Sequence, residues 1–245
     1  MTKALMARLD RLLANLGYGS RKDVQALVAS GKVVLDGKIL KDAGARIAVD
    51  AALPERMTIR GVAVDPPAPL VLLMHKPLGV TCSHKEEGEK IYDLLPRRWR
   101  LRDPGLSTVG RLDKDTSGLI LITDDGDFLH RVISPKRHVP KTYLTTLDRA
   151  LTGSEGKVFA AGTLMLEGEE KPLLPAQLDV VDDKTARLTI TEGRYHQVRR
   201  MFAAVGNHVV TLHRERIGGL TLPADLEPGQ YRILPAAEAE AVFDV

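Results

Sequence analysis

The sequence predicts an α+β fold in two parts: a small helix–helix–hairpin module, then a larger domain in which strands and helices intermix. Three observations carry that reading. A leucine stripe at helical spacing, a second capped helix and an Asp-Gly hairpin follow one another within the first ~60 residues. The run Pro66-Pro67-Ala68-Pro69 then forms a stiff, extended connector. Beyond it, strand-like and helix-like segments alternate without a regular βαβ pattern, as in an α+β domain. The domains are therefore placed at residues 1–66 and 67–245.

Each element has a local reason. Leu9, Leu12, Leu13 and Leu16 fall on one face of an amphipathic helix, and Gly17 is placed to end it. Ser20 opens the next helix with Asp23 three residues on, a variant of the capping box. Val24, Leu27 and Val28 form its apolar face, and Gly31 supplies a left-handed stop. Asp36-Gly37 lies between two β-rich arms, and a type I′ turn needs φ > 0 at both central residues. After the connector, Leu70–Met74, Val80–Ser83, Leu119–Thr123, Lys141–Leu147 and Ala186–Thr191 read as strands. Asp124–Asp127 can turn and cap a helix over Phe128–Ile133, and Val198, Met201, Phe202 and Val205 give 193–205 helical character.

The 245 residues are 27% charged and 44% hydrophobic, which excludes wholesale disorder and leaves room for a substantial core. The single cysteine, Cys82, permits no internal disulfide or cysteine-rich zinc site and points to a reducing compartment. Leu70–Met74 and Leu119–Ile122 are too short to cross a bilayer, and Arg8, Asp10 and Arg11 interrupt the apolar run a signal peptide needs. A soluble, intracellular, cytoplasmic protein is expected.

The net charge of +3 is unevenly placed. Residues 1–66 hold eleven Lys/Arg against seven Asp/Glu, while the remainder is nearly neutral. Arg8, Arg11, Arg21, Lys22 and Lys32 sit off the apolar stripes of this basic head. Such residues either solvate a surface or hold phosphates. A second basic segment, 194–216, carries five arginines against Glu215, together with Tyr195, His196 and Phe202. Its arginines suit phosphates or base edges, and equally suit pairing with acidic residues across the fold.

The most unusual stretch is Gly110-Arg111-Leu112-Asp113-Lys114-Asp115-Thr116-Ser117-Gly118-Leu119, polar residues between glycines that lead into an apolar strand. Asp113, Asp115, Ser117, Gly118 and Asp124 mimic calcium-loop spacing. The missing glutamate, the apolar Leu121 and the upstream Pro104-Gly105 argue against a metal there. Cys82 and His84 lack an orienting third group, and no Walker loop or dinucleotide fingerprint is present. Spacing alone does not separate Asp113 from Asp115, because both would share one face of a strand.

The decapeptide from Gly110 to Leu119 resembles the catalytic motif of the pseudouridine synthases. His75-Lys76-Pro77-Leu78-Gly79, Lys141-Thr142-Tyr143 and Glu192–Met201 resemble its other signatures in the same order, with His75 where many relatives carry Asn. The helix–helix–hairpin head resembles an S4 RNA-binding domain, and the combination with Met201–Gly219 resembles the RsuA branch, which acts on the ribosomal small subunit. The resemblance implies a largely antiparallel catalytic sheet with flanking helices. It also implies isomerisation of one uridine in 16S rRNA to pseudouridine by a cytoplasmic monomer, on an assembling small subunit, without cofactor or metal. Large-subunit rRNA or a non-catalytic S4-type assembly role are the alternatives.

By motif position, Asp113 would be the catalytic carboxylate, Tyr143 would pack against the uracil, and Arg194 or Arg199 would supply the partner charge. Arg111 would displace the flipped base, with His196 and Arg200 as further RNA contacts. A water-poor pocket follows from the chemistry, because the freed uracil must stay caged while it turns.

Overall fold

The computed structural model describes residues 5–83 and 86–244, so His84 lies outside the described residues. The chain divides into two compact units. The first comprises the residues up to Leu70 together with Leu95–Ser107 and Thr123–Asp125, and the second holds the rest.

In the first unit, β1 (Leu5–Arg8) pairs antiparallel with β4 (Arg46–Val49). Between them lie α1 (Leu9–Asn15), α2 (Arg21–Ala29), β2 (Val33–Leu35) and β3 (Lys38–Ile39); α3 (Leu53–Arg56), β5 (Met57–Ile59) and β6 (Val62–Ala63) follow. The second sheet has the order β3-β2-β5-β6. The expected signals act as read. Leu9, Leu13 and Leu16 are buried against Val24 and Val28. Ser20 Oγ accepts from the Asp23 amide, and the Asp23 carboxylate accepts from the Ser20 amide at 2.8 Å. Asp36 and Gly37 both have positive φ, 49° and 75°, as a type I′ turn requires.

Asp10 is fully buried in this unit. Hydrogen bonds from Arg8 and Arg21, at 3.0 and 2.8 Å, hold its carboxyl well below the usual carboxylate range. Arg102 and Asp124 form a second buried ion pair at 2.7 Å, and Asp124 also accepts from the Leu70 amide.

The second unit is built on a nine-stranded sheet. In chain order its elements are β7 (Val71–Lys76), β8 (Ser107–Thr108), β9 (Ser117–Thr123), α4 (Gly126–Ile133), β10 (Lys141–Leu147), α5 (Glu155–Ala160), β11 (Gln177–Asp182), β12 (Thr185–Ile190), α6 (Gln197–Ala204), β13 (Val209–Ile217), β14 (Leu220–Thr221), β15 (Tyr231–Ile233) and α7 (Ala236–Glu240). The main path runs β11-β12-β10-β13-β9-β7-β15, with β14 on β13 and β8 on β9. The pairs β11–β12, β12–β10, β10–β13 and β7–β15 are antiparallel. β13 and β9 run parallel and share two residue pairs, His213 with Ser117 and Arg214 with Gly118. Val71 and Leu73 alternate with their neighbours to face a core that includes Leu119, Leu121, Phe128 and Val132.

Two readings change. Val80–Ser83 is not a strand: its contribution is an isolated bridge between Thr81 and Lys90. β11 and β13 are strands that apolar pattern alone did not reveal, since β11 is mostly exposed and β13 carries the charged run His213-Arg214-Glu215-Arg216. No described helix is long and apolar enough to cross a membrane.

Candidate active site

The polar decapeptide forms the loop that enters β9. Thr116 N donates to Asp113 O at 3.0 Å, so Asp113–Thr116 is a turn rather than a strand, and the two aspartates part company. The Asp115 carboxylate is two-thirds exposed and pairs with Arg199 Nη2 at 2.8 Å. Asp113 is one-third exposed and lines a cavity of about 650 Å³. Two buried anchors fix this loop. Lys76, at the end of β7, donates from Nζ to Thr116 O at 2.8 Å and Pro77 O at 3.0 Å. Burial pushes its ammonium pKa down. Gly118, at φ +111°, lets β13 approach: a Cβ there would stand 2.3 Å from Arg214 O and 2.6 Å from Arg214 N.

The cavity mixes apolar walls, from Val109, Leu112, Val132, Ile190, Leu212 and Ile217, with polar groups that include Asp113, Lys141, Tyr143, Glu192, Arg194 and Arg214. Its size and mixture are those of a small-molecule site. Tyr143 lies on β10 directly opposite Arg214 on β13. Arg214 is 3% exposed. Its Nε donates to Leu119 O at 2.8 Å and its Nη1 to the Tyr143 hydroxyl at 3.4 Å. Nη2, equally buried, has no hydrogen-bond partner among the described residues. Lys141 donates to Val139 O, and burial together with the nearby Arg214 lowers its pKa to about 8.

The basic side chain beside Asp113 is His196, whose Nε2 stands 3.4 Å from Oδ1. Neither arginine expected as its partner takes that place in this structure. Arg194 lines the cavity, but its guanidinium pairs with Glu192 and Glu169 and donates to the carbonyls of Lys171 and Pro172. Arg199 is committed to Asp115 and to Val209 O. Arg200 also pairs with Glu169, at 2.8 Å. Across 194–200, pairing with acidic groups therefore accounts for all three arginines. Arg111 is exposed at the cavity mouth and pairs with Glu86.

Sequence reasoning left Arg214 and Lys76 without individual roles. A signal existed for the first, since Arg214 shares strand parity with the apolar Leu212 and so faces inward. In the first unit, Arg8 and Arg21 are about half exposed while pairing with Asp10. Arg11, Lys22 and Lys32 are exposed, with no ion pair among the described residues.

A carboxylate lining a partly apolar cavity, with a phenol and a buried guanidinium beside it, can act on a small uncharged ring drawn out of water. The sequence pattern described as RNA pseudouridylate synthase matches residues 70–204. The S4 domain pattern matches residues 7–52. The chain belongs to the RNA pseudouridylate synthase family.

Among its relatives, the ribosomal small subunit pseudouridine synthase A of Escherichia coli (strain K12) is 43% identical over 244 residues, covering 96% of this chain and 99% of that one. The protein of the same name from Vibrio cholerae serotype O1 is 40% identical over 239 residues, with the same coverage. A crystal structure of a pseudouridylate synthase superposes with a TM-score of 0.67 at 37% identity, covering 96% of this chain and 99% of that one. The largely antiparallel sheet and flanking helices expected of the second domain are those of the fold.

Proposed function

We propose that this enzyme converts one uridine of small-subunit (16S) ribosomal RNA into pseudouridine, with Asp113 as the catalytic carboxylate. The observation that carries the site is the convergence of Asp113, Tyr143 and Arg214 on one cavity with both apolar and polar walls. The choice of small-subunit RNA is supported by the full-length relatives of that name. Residues 1–66 serve as the RNA-binding head, through Arg11, Lys22 and Lys32, and residues 67–245 as the catalytic domain. The enzyme works as a cytoplasmic monomer on the assembling subunit.

The target uridine is flipped out of its stack, at a cost of a few kcal/mol. Arg111, at the cavity mouth, fills the space the base leaves. Inside, the bond between C1′ and N1 breaks, the uracil turns, C5 bonds to C1′, and the C5 proton is lost while N1 gains one. Atoms and electrons balance within the substrate, so the reaction calls for no oxidant, reductant or cofactor. Asp113 supplies the anionic group at the reacting sugar and base. Tyr143 packs against the uracil, and its hydroxyl is oriented by Arg214. The buried Nη2 of Arg214 offers the donor that an anionic group in the cavity needs. In this role Arg214 takes the place expected of Arg194 or Arg199.

The test expresses wild type and Asp113→Asn in cells lacking the gene and maps pseudouridine in both ribosomal RNAs by carbodiimide labelling and primer extension. One small-subunit site should return with wild type and stay absent with the variant. Full modification by Asp113→Asn would remove the carboxylate assignment, and a restored large-subunit site would remove the substrate assignment.

A further inference from the structure

Tyr195 is out of place for a residue in packing contact with a site. It is 75% exposed, yet its ring is ordered against His196 at 3.9 Å between centres and 16° between planes. His196 adopts a left-handed backbone, φ 49°, at the start of α6 and places Nε2 3.4 Å from Asp113. Tyr195, His196 and Asp113 thus form a continuous line.

These three side chains line two cavities in common. One is the cavity holding Tyr143 and Arg214. A second, of about 720 Å³, adds Leu78, Gly79, Thr81, Lys114 and Val210, with the ion-paired carboxylates Glu86 and Asp115. Both are lined by Arg111, Leu112, Asp113, Tyr195 and His196. A base seated in the first cavity leaves its covalently joined neighbour within reach of the second, because the two cavities share five lining residues. His196 covers one face of the Tyr195 ring, and the exposed remainder is the apolar surface that the neighbour meets.

We propose that Tyr195 is a stacking platform for the base of a nucleotide adjacent to the target uridine, seated in the second cavity. The assignment rests on the synthase reading above and adds a subsite to it. An aromatic face accepts any base, because every base has a π-face. Tyr195 therefore contributes affinity and holds the strand bent open rather than reading sequence. Lys114, on the same rim, carries charge suited to a phosphate of the bound strand.

The experiment measures KM and kcat for the full-length enzyme on the ribosomal RNA that wild type modifies. Each position flanking the modified uridine is made abasic in turn. Tyr195→Ala should raise KM about tenfold, the scale of one lost base stack, with kcat changed less than about threefold. Tyr195→Phe and Tyr195→Trp should restore the wild-type KM. At one flanking position, an abasic nucleotide should raise KM for wild type by the same factor and add nothing for Tyr195→Ala, as a double-mutant cycle requires of a direct contact.

An unchanged KM for Tyr195→Ala, or effects that multiply at every flanking position, would overturn the platform. So would loss of kcat that Tyr195→Phe does not restore. Absence of any modification by wild type would instead overturn the synthase reading, so the two failures are distinct.

Discussion

Arg214→Met separates what the buried guanidinium does for folding from what it does for chemistry. In the wild type the side chain is 3% exposed and makes two hydrogen bonds, to Leu119 O at 2.8 Å and to Tyr143 at 3.4 Å. Its Nη2 makes none among the described residues. Methionine would leave Leu119 O without its side-chain donor, at about 1–3 kcal/mol. It would also remove a buried guanidinium with an unsatisfied donor, relieving a desolvation cost of about 1–3 kcal/mol. The two effects oppose each other, so stability should change by less than about 2 kcal/mol and the melting midpoint by less than about 8 °C.

Catalysis has no such compensation. Losing one oriented donor to developing charge lowers kcat about 10²–10³-fold. Arg214→Lys should fail almost as badly, because one ammonium cannot span Leu119 O and the Tyr143 hydroxyl together. The assay is single-turnover pseudouridine formation on a ribosomal RNA transcript, run beside thermal unfolding of the same preparations. A kcat within about threefold of wild type for Arg214→Met would refute the reasoning. So would a loss of activity that merely tracks loss of folded protein.

Three further outcomes follow from described contacts. Gly118→Ala places a methyl 2.3 Å from Arg214 O at φ +111°, and should cost about 2–4 kcal/mol in urea unfolding; a cost under about 0.5 kcal/mol would show that the strands separate freely. Burial lowers Lys141 to about 8 in the folded chain from the 10.5 of a free lysine, so charging it opposes folding below pH 8 and ceases to do so as pH rises towards 10.5. Lys141→Met should accordingly be more stable than wild type by about 1–3 kcal/mol at pH 7, with the gap narrowing near pH 10; a gap independent of pH would assign the gain to packing alone. Neutralising Arg11, Lys22 and Lys32 together should reduce the slope of log affinity against log salt by about 2–3, and an unchanged slope would place the phosphate contacts elsewhere.

What could be read from the sequence is what local chemistry decides. The Asp36-Gly37 turn, the Ser20 cap and the leucine face of α1 each depend on residues within a few positions of one another. β10 has the bounds its alternation gives, Lys141–Leu147. Val80–Ser83 had a strand's composition, but residues 80–83 pair through one bridge, and a strand needs a ladder to exist.

At the site, motif order led to Asp113 and Tyr143, and the cavity contains both. The cation near them was beyond reach of spacing, because three-dimensional neighbours decide it. Glu169, from a segment with no motif, draws Arg194 and Arg200 towards itself, while Asp115 draws Arg199. Arg214 comes inward through the pairing of β13 with β10 and β9, a register that the charged run in β13 conceals.

The short parallel pairing of β13 with β9 has one more consequence. With two residue pairs, it is a seam between the β11-β12-β10-β13 half of the sheet and the β9-β7-β15 half. Just past the last of those pairs, the donor to Leu119 O is the side chain of Arg214. The guanidinium therefore serves as a rung of the sheet and a wall of the cavity at once. Its position is as fixed as the ladder it extends, and any slippage along the seam would move the cavity wall with it.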